Sequence, residues 1–373
     1  KGKKEFEWDK RSEYSGKRVG NKVKAIGVGQ AYHTAGYNGF DGLCRITPDG
    51  ILHIHTGVGN LGTFSYASTS RVCAEVLGYD WERCVIERGG TRKHIPFNIG
   101  QFGSNTTFTM SRTNYAAGMA AKDLLLEIAA KVLGGKAENY KLENEFVVNT
   151  SNESNKISFA DCAKKAIEMG GKYSGMETPE DINPFTKAAV GGIKGTGLVG
   201  VAKDKIPKTA TVPALSASFI EIELDLETGK YEILDCLGVA DCGTVMHPTG
   251  LAAQIRSGAV MGFGLAATER HVYDPAYGRP NMKGFYQAKP PTYLDVPVKN
   301  GWAAVDKADP QSPVGAKGIG EPLQGSASSA LLCAISEALG GHMFNRTPVV
   351  TDMIINAAAG KPQSHKPMQT NCQ

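Results

Sequence analysis

The sequence lacks the features that mark several large classes of protein. Its 373 residues contain no Cys-x-x-Cys pair, no Gly-x-Ser-x-Gly nucleophile motif and no phosphate-binding P-loop. No apolar run approaches the roughly 18 residues that a membrane-spanning helix needs. The 41 basic and 37 acidic residues nearly balance, so charge gives no indication of nucleic acid or of a membrane surface as a partner. What remains is ordinary globular composition, with 41% hydrophobic residues.

Cysteine is present, but not in the spacing of metal ligands. The eight cysteines lie at positions 44, 73, 84, 162, 236, 242, 333 and 372. Several lie within apolar sequence, such as Cys333 in the run 330–335, so we expect buried thiols in a reducing, cytoplasmic setting. We therefore do not expect this chain to hold an iron–sulfur cluster itself.

Helix and strand patterns alternate along the chain, which predicts a mixed, α+β fold. Residues 1–23 are polar and predict an arm, followed by one domain at 24–208 and a second at 209–373. The predicted strands lie at 24–29, 43–47, 51–56, 217–226 and 231–239, with a hairpin within 138–160. The predicted helices lie at 63–77, 104–133, 158–170, 248–269 and 323–339. The stretch 171–212 has no clear period and is predicted to contain the domain junction, while 270–312 is predicted to be rich in loops.

Three short glycine segments precede predicted helices. They are residues 57–63, 101–106 and 315–322. Backbone N–H groups at a helix start attract anions, and glycine lets a ligand approach the backbone closely. Three such segments suit an extended ligand with phosphate and several polar edges. The alternative is that Thr63, Ser104 and Pro322 belong to ordinary helix caps.

Glu321 lies between Gly-Ile-Gly and Pro322, in a segment with few other polar groups. A carboxylate in such surroundings can act as a general base. A glutamate at a helix start can equally serve only to stabilise the helix dipole. The spacing alone leaves both interpretations open.

Two other patterns are not expected to form sites. Residues 195–200 match Gly-x-Gly-x-x-Gly, but no helix pattern follows, so we interpret them as a glycine-rich connection rather than a dinucleotide site. The histidines at 53, 55, 247 and 342 do not show the spacing of zinc ligands, and we expect no protein-bound metal.

Over about residues 24–360 the sequence resembles the C-terminal half of the large subunit of the xanthine dehydrogenase/aldehyde oxidase family of molybdenum hydroxylases. The resemblance rests on segments that occur in the family's order, at 57–63, 103–106, 219–229, 240–248, 254–264 and 315–322. It implies two mixed α/β subdomains that bind a molybdenum–molybdopterin cofactor, whose dithiolene holds the metal without a protein ligand. The cytosine dinucleotide form of the cofactor is a further expectation. The residues implied to bind the cofactor are Gly62, Thr63, Gln101, Phe102, Gly103, Ser104, Thr106, Gln254, Gly318 and Gly320.

The resemblance also assigns chemistry and substrate contacts. It implies that Glu321 is the base that takes a proton while oxygen from water attacks an electron-poor carbon of an N-heterocycle, aromatic compound or aldehyde. Tyr32 and His33 fall where the family has a substrate-facing pair. Thr63 departs from the family's usual glutamine, which removes a side-chain amide contact but leaves backbone contacts possible.

The family's other half is not in this sequence, nor are iron–sulfur or flavin domains. The chain thus resembles the medium molybdopterin subunit of split enzymes such as nicotinate dehydrogenase. That implies a second molybdopterin subunit, a subunit with 2Fe-2S clusters, an FAD subunit, and a dimer of such heteromers. A non-redox hydratase or reductase of the same family, and a non-catalytic scaffold subunit, are the alternatives.

Overall fold

The computed structural model describes residues 1–363, which form mixed α and β structure as predicted. The strands are β1 (Arg18–Val19), β2 (Lys22–Thr34), β3 (Asp41–Ile46), β4 (Leu52–His55), β5 (Cys84–Glu87), β6 (Tyr140–Glu143), β7 (Phe146–Asn149), β8 (Asn152–Ser158), β9 (Leu198–Lys203), β10 (Pro213–Asp225), β11 (Tyr231–Asp241) and β12 (Lys299–Ala304). The helices are α1 (Gly2–Glu5), α2 (Trp8–Ser12), α3 (Ser65–Leu77), α4 (Thr106–Leu133), α5 (Phe159–Met169), α6 (Pro184–Ile193), α7 (Pro248–Ala267), α8 (Phe285–Ala288), α9 (Pro322–Ala338) and α10 (Thr351–Ala358).

The chain divides into two compact units. The central unit comprises Thr34–Val212 and Ala308–Gly318, and the terminal unit comprises Lys1–His33, Pro213–Lys307 and the described residues from Ile319 onward. These units do not follow the contiguous boundaries expected from the sequence. The junction expected near 208 lies close to residues 212–213, where the chain passes from the central unit to the terminal unit. However, residues 1–33 belong to the terminal unit, and residues 308–318 belong to the central unit.

In the central unit, a four-stranded sheet of order β5-β4-β3-β9 packs against the long helix α4. Its core includes Leu52, Ile54, Leu125 and Ile128, all fully buried. The helix can approach the sheet because strand glycines face it: a Cβ at Gly42 would lie 1.9 Å from the carbonyl oxygen of Thr113. A separate three-stranded sheet, β6-β7-β8, completes this unit beside α4 and α5.

In the terminal unit, a five-stranded sheet of order β1-β2-β10-β11-β12 is covered by α7 and α9. Alternate residues of β10, among them Ile220, Ile222 and Leu224, are buried against Leu331 and Ile335 of α9. This is the strict alternation that predicted the strand.

The N-terminal residues are not a detached arm. Phe6 is buried, and the guanidinium of Arg11 forms ion pairs with Glu221 at 2.7 Å and Asp235 at 2.6 Å. These contacts fix α1 and α2 to the terminal unit's sheet. The expectation of an arm was wrong because the polar composition concealed one aromatic anchor and one half-buried, ion-paired cation.

Two other expectations needed correction. The stretch 171–212 contains α6 and β9, so residues 195–200 lead into a strand rather than forming a connection. Gly200 is a packing glycine, since a Cβ there would lie 2.7 Å from that of Ala121. Residues 138–160 form three strands rather than one hairpin, and α10 follows the last predicted helix.

The cysteines are mostly buried, with one clear exception. Cys44, Cys73, Cys162, Cys236 and Cys242 are buried and Cys84 is half-buried. Cys333 is exposed, because it lies on the face of α9 opposite Leu331, Ala334 and Ile335. Cys372 lies outside the described residues. Within residues 1–363 no helix is long and apolar enough to cross a membrane, and no three His, Cys, Asp or Glu side chains are grouped to hold a metal ion.

Candidate cofactor-binding site

Two of the three glycine segments lie side by side in the central unit, joined by amide side chains. The Leu61 N–H donates to Oε1 of Gln101 at 3.0 Å, and Nε2 of Gln101 donates to Oγ of Ser65 at 2.8 Å. The Gly57 N–H donates to Oδ1 of Asn98 at 2.7 Å. Gln101, predicted as a cofactor contact, therefore also fixes the spacing of the two loops that precede α3 and α4.

The third segment reaches the same place through Gly318. A Cβ at Gly318 would lie 1.6 Å from the carbonyl oxygen of Ser104, so no other residue fits there without moving the backbone. Gly103 and Ser104 both have positive φ, of 58° and 54°. We call residues 57–63, 101–106 and 315–318 the glycine cradle. It brings together Gly62, Thr63, Gln101, Phe102, Gly103, Ser104, Thr106 and Gly318.

A buried arginine that the sequence analysis missed anchors the third segment. Nε of Arg112 donates to Asp204 at 2.7 Å, with both side chains fully buried. The same guanidinium donates to the backbone oxygens of Ile206, Pro207 and Gln311. The signal for it was a lone arginine in the otherwise uncharged stretch 106–121 at the start of α4, where burial requires a partner.

The helix starts of the cradle differ from the other long helices in their capping. Helices α5, α6 and α7 each have a side chain that accepts a first-turn N–H bond, from Ser158, Asn183 and His247 respectively. Helices α3 and α4 have Phe64 and Asn105 as N-cap residues, and neither makes a side-chain cap bond. The N-cap residues are thus Phe64 and Asn105 rather than Thr63 and Ser104, whereas Pro322 does stand at the first position of α9, as the alternative expected.

The electrostatics of the cradle suit an anion. Neither α3 nor α4 has an acidic residue in its first turn, so the positive end of each helix dipole is not neutralised there. Oδ1 of Asn105 and Oγ1 of Thr56 are buried and make no hydrogen bond within residues 1–363. Buried polar atoms without partners are costly and suggest a bound group. These features fit the phosphate and pterin edges of the cofactor that the resemblance implies.

Exposed apolar side chains border the cradle. Leu61, Phe64 and Phe102 are 72%, 58% and 53% exposed. The ring of Phe102 lies 6.2 Å from that of Tyr37, centroid to centroid. A ligand bound here would be polar on its backbone-facing side and would meet apolar surface at the border.

His55 lies at the end of β4, directly before the first cradle segment. Its Nδ1 lies 3.2 Å from the carbonyl oxygen of Lys93, which ties the strand end to the loop that precedes Asn98. Burial lowers the pKa of His55 to about 4, so the ring is neutral at physiological pH. The neutral ring donates its single N–H to that carbonyl.

The remaining predicted site residues lie in the terminal unit. Glu321 is the N-cap residue of α9, which also lacks a side-chain cap bond. Its side chain is exposed, so residues 1–363 alone do not form the apolar enclosure that its sequence neighbours suggested. Gly320 contacts α7: a Cβ at Gly258 would lie 3.5 Å from the Gly320 carbonyl oxygen and 2.6 Å from Cβ of Leu323.

Three hydroxyl groups fix the first turn of α9 on the sheet beneath it. Oγ of Ser326 lies 3.0 Å from that of Ser216 and 2.8 Å from that of Ser218, and all three residues are buried. Ser326 also donates to the carbonyl oxygen of Leu323 at 3.3 Å. The position of the helix that begins after Glu321 is thus set by polar contacts that the sequence pattern did not predict.

Gln254, Tyr32 and His33 also lie in the terminal unit, on elements that contact α9. Gln254 is half-buried one turn before Gly258 on α7. Tyr32 and His33 end β2, and their neighbour Ala31 lies 3.0 Å from where a Cβ of Gly325 would be. Tyr32 is 56% exposed. The predicted residues thus divide between the cradle in the central unit and positions on β2, on α7 and at the start of α9 in the terminal unit.

The chain is similar to known molybdopterin-binding proteins. The sequence matches the molybdopterin cofactor-binding domain family over residues 1–297. It is 25% identical over 349 residues to the xanthine dehydrogenase molybdenum-binding subunit of Escherichia coli O157:H7, covering 91% of this chain and 43% of that protein. It is also 25% identical over 355 residues to the nicotine 6-hydroxylase large subunit of Paenarthrobacter nicotinovorans, covering 93% of this chain and 39% of that protein.

The fold is also found among solved structures. Quinoline 2-oxidoreductase from Pseudomonas putida 86 superposes with a TM-score of 0.73 at 21% identity, covering 96% of this chain and 44% of that one. The chain thus spans less than half the length of the relatives it matches. The match to residues 1–297 confirms the resemblance, and the chain belongs to the molybdopterin cofactor-binding domain family.

Proposed function

We propose that this chain is the cofactor-binding subunit of a multi-subunit molybdenum hydroxylase. The observation that carries the proposal is the glycine cradle, where three segments distant in sequence meet at two helix starts without side-chain caps. Anionic, extended ligands bind such helix starts through backbone N–H groups. The family match names molybdopterin as that ligand class.

In this proposal the cradle residues bind the polar edges of the cofactor. Gly62, Gly103 and Gly318 allow backbone approach, Gln101 and Ser104 supply polar side chains, and Thr63 and Thr106 lie at the two helix starts. Phe102 lies at the border of the cradle. The roles of Gln254 and Gly320 as cofactor contacts are proposed from the resemblance. When bound, the cofactor supplies oxygen transfer and accepts two electrons, and its cytosine dinucleotide form is part of the proposal.

Glu321 has the role of general base. It is the one carboxylate among the predicted site residues, and α9 begins directly after it with no side-chain cap. An ionised carboxylate there accepts the proton released while oxygen from water bonds to the substrate carbon. The hydroxyl groups of Ser216, Ser218 and Ser326 hold the first turn of α9 in place for this step.

The proposed substrate is an N-heterocycle, an aromatic compound or an aldehyde with an electron-poor carbon. Two relatives are named for such compounds, nicotine and quinoline. Tyr32 offers an exposed aromatic face, and His33 offers a ring nitrogen for a polar substituent. Hydroxylation releases two electrons, which the proposal passes to 2Fe-2S clusters and FAD on partner subunits.

The partner set follows from the length of the relatives. A second molybdopterin subunit would carry the part of the relatives' length that this chain does not match, and the whole would be a cytoplasmic dimer of heteromers. Purification through a tag on this chain, with chain identification and measurement of molybdenum, iron and flavin, tests the set. The proposal expects all three cofactors and a partner related to the other half; a complex without molybdenum would instead support a scaffold role.

The reaction type needs its own measurement. Substrate-dependent reduction of an artificial electron acceptor is expected for a hydroxylase. Substrate turnover without acceptor reduction would contradict hydroxylation and favour the hydratase alternative. Reduction of the acceptor without oxygen from water appearing in the product would also contradict hydroxylation.

A further inference from the structure

A long segment of the terminal unit is folded but almost entirely exposed. Between residues 270 and 298 only Pro297 is buried. Five of its large side chains are extremely exposed: Tyr277 78%, Phe285 84%, Tyr286 87%, Tyr293 97% and Leu294 97%. Soluble monomers rarely expose contiguous apolar area of this extent, and larger patches mark interaction sites.

Local hydrogen bonds hold this exposed segment in shape. Oδ1 of Asp274 accepts from the N–H groups of Ala276 and Tyr277 at 2.8 and 3.2 Å, within a turn closed by the Tyr273–Pro280 bridge. Oδ2 of Asp295 accepts from both the N–H and the hydroxyl of Thr292, which fixes the turn carrying Tyr293 and Leu294. These contacts are made within the segment, so its aromatic side chains point outward without being used in the fold.

The segment is also attached firmly to the helix that precedes it. A Cβ at Gly264 would lie 2.3 Å from Oε1 of Glu269 and 2.7 Å from Cδ of Pro291. The Glu269 N–H donates to the Gly264 carbonyl oxygen at 2.7 Å. The segment therefore presents a pre-shaped surface, which lowers the ordering cost of binding a partner.

The size of this surface matches a stable protein interface. Aromatic side chains bury on the order of 150–250 Å² each. The four aromatic side chains and Leu294 together approach the roughly 800 Å² per partner of a standard interface. Tyrosine and phenylalanine are also the residues enriched at interface centres.

We infer that residues 270–298 are the docking surface for the polypeptide that carries the other half of the fold. The inference rests on the proposed function for the identity of that partner. Relatives with the same fold continue for more than half of their length beyond the part that this chain matches. In the proposed complex that other half binds this chain, and the exposed segment is a pre-shaped apolar surface of the terminal unit that can receive it.

Photo-crosslinking of the purified complex tests the surface directly. Tyr293 is replaced by the aromatic photoreactive residue p-benzoylphenylalanine, and Val19, which is 80% exposed on β1, receives the same residue as a matched control. The inference expects a crosslink from position 293, and none from position 19, to a chain whose sequence mass spectrometry relates to the other half. A crosslink from 293 to a second copy of this chain, to an iron–sulfur or flavin subunit, or to nothing would overturn it.

A double substitution measures the energetic contribution. Tyr293→Ser with Leu294→Ser should weaken retention of the partner by about tenfold or more, as expected for the centre of an interface. The thermal unfolding of this chain should not change, since both side chains make little contact within it. Val19→Ser with Met343→Ser, at positions 80% and 76% exposed, should retain the partner normally. Equal retention in both variants would overturn the inference.

The outcomes separate this inference from the proposed function. A partner related to the other half that crosslinks at 293, in a complex lacking molybdenum, supports the docking surface and contradicts the hydroxylase. A complex that contains molybdenum, with unaltered retention of the partner in the double variant, supports the hydroxylase and contradicts the docking surface.

Discussion

Glu321 is the single residue on which the proposed chemistry depends. Replacing it by glutamine keeps its shape and removes the proton acceptor, so turnover should fall by about a hundred- to ten-thousand-fold. Molybdenum content should stay near normal, because a neutral amide also fits a helix start. The single-turnover rate and the metal content are to be measured on the same preparation.

The alternative role of Glu321 predicts a different result. If Glu321 only stabilises the helix dipole of α9, replacing it should lower the free energy of unfolding by under about 1 kcal/mol and leave activity nearly complete. A Glu321→Gln enzyme with full molybdenum and more than about a tenth of the wild-type rate would remove Glu321 from the mechanism.

Gly318 is the residue that closes the cradle, and its size can be tested. A methyl group at position 318 would collide with the Ser104 carbonyl oxygen, at 1.6 Å, and would force the third segment away. Strain of this kind costs about 1–3 kcal/mol, so the Gly318→Ala variant should retain less molybdenum than the wild type, by about tenfold or more. Gly191→Ala is the matched control, since a Cβ there meets nothing within 4 Å. Equal molybdenum in the two variants would contradict the cradle.

At the scale of secondary-structure elements, the sequence predicted the ends of helices best where hydrophobic periodicity and stop signals agree. Helix α3 ends at Leu77 with Gly78 in the left-handed region, and α4 ends at Leu133 before Gly134, as expected. The starts were less accurate, because Thr63 and Ser104 resemble caps but the helices begin at Ser65 and Thr106. Helix α6 and strand β9 were missed because glycine and lysine conceal the period.

Contacts distant in sequence could not be predicted from local patterns. No spacing rule relates Arg112 to Asp204 and Gln311, or Gly318 to Ser104, although these contacts assemble the cradle. The glycine segments themselves were visible as candidates, and their meeting in one unit was not. Placement of Glu321 at the start of α9 was predicted from Pro322 and the following apolar run.

The prediction at this scale is that the stability of the central sheet depends on pH. Burial holds the pKa of His55 at about 4, below the ordinary value of 6.5. As pH falls below about 6.5, the unfolded chain binds a proton that the folded chain does not, so the free energy of unfolding decreases. The loss should reach about 2 kcal/mol by pH 5 and about 3 kcal/mol by pH 4.

Thermal unfolding of the complex between pH 6.5 and 5 measures this effect, because carboxylates titrate mostly below that window. His55→Gln can still donate to the Lys93 carbonyl and should flatten the dependence. An unchanged slope in the variant would show that another group is responsible.

At the scale of the whole molecule, the proposal makes the chain one part of a larger assembly. It matches less than half the length of its relatives, and its terminal unit exposes a pre-shaped aromatic segment. Expressed alone, the chain should be poorly soluble and hold no cofactor, since its apolar surface stays uncovered. A monodisperse monomer that retains molybdopterin, seen by light scattering with metal analysis, would contradict this.

The most direct test of the account is the molybdenum content of the complex purified through a tag on this chain. The account predicts about one molybdenum and one molybdopterin per chain in the wild type, with Gly191→Ala equal to it and Gly318→Ala about tenfold lower. A wild-type complex with its partner subunits present but without molybdenum would contradict the central claim that the glycine cradle binds the cofactor.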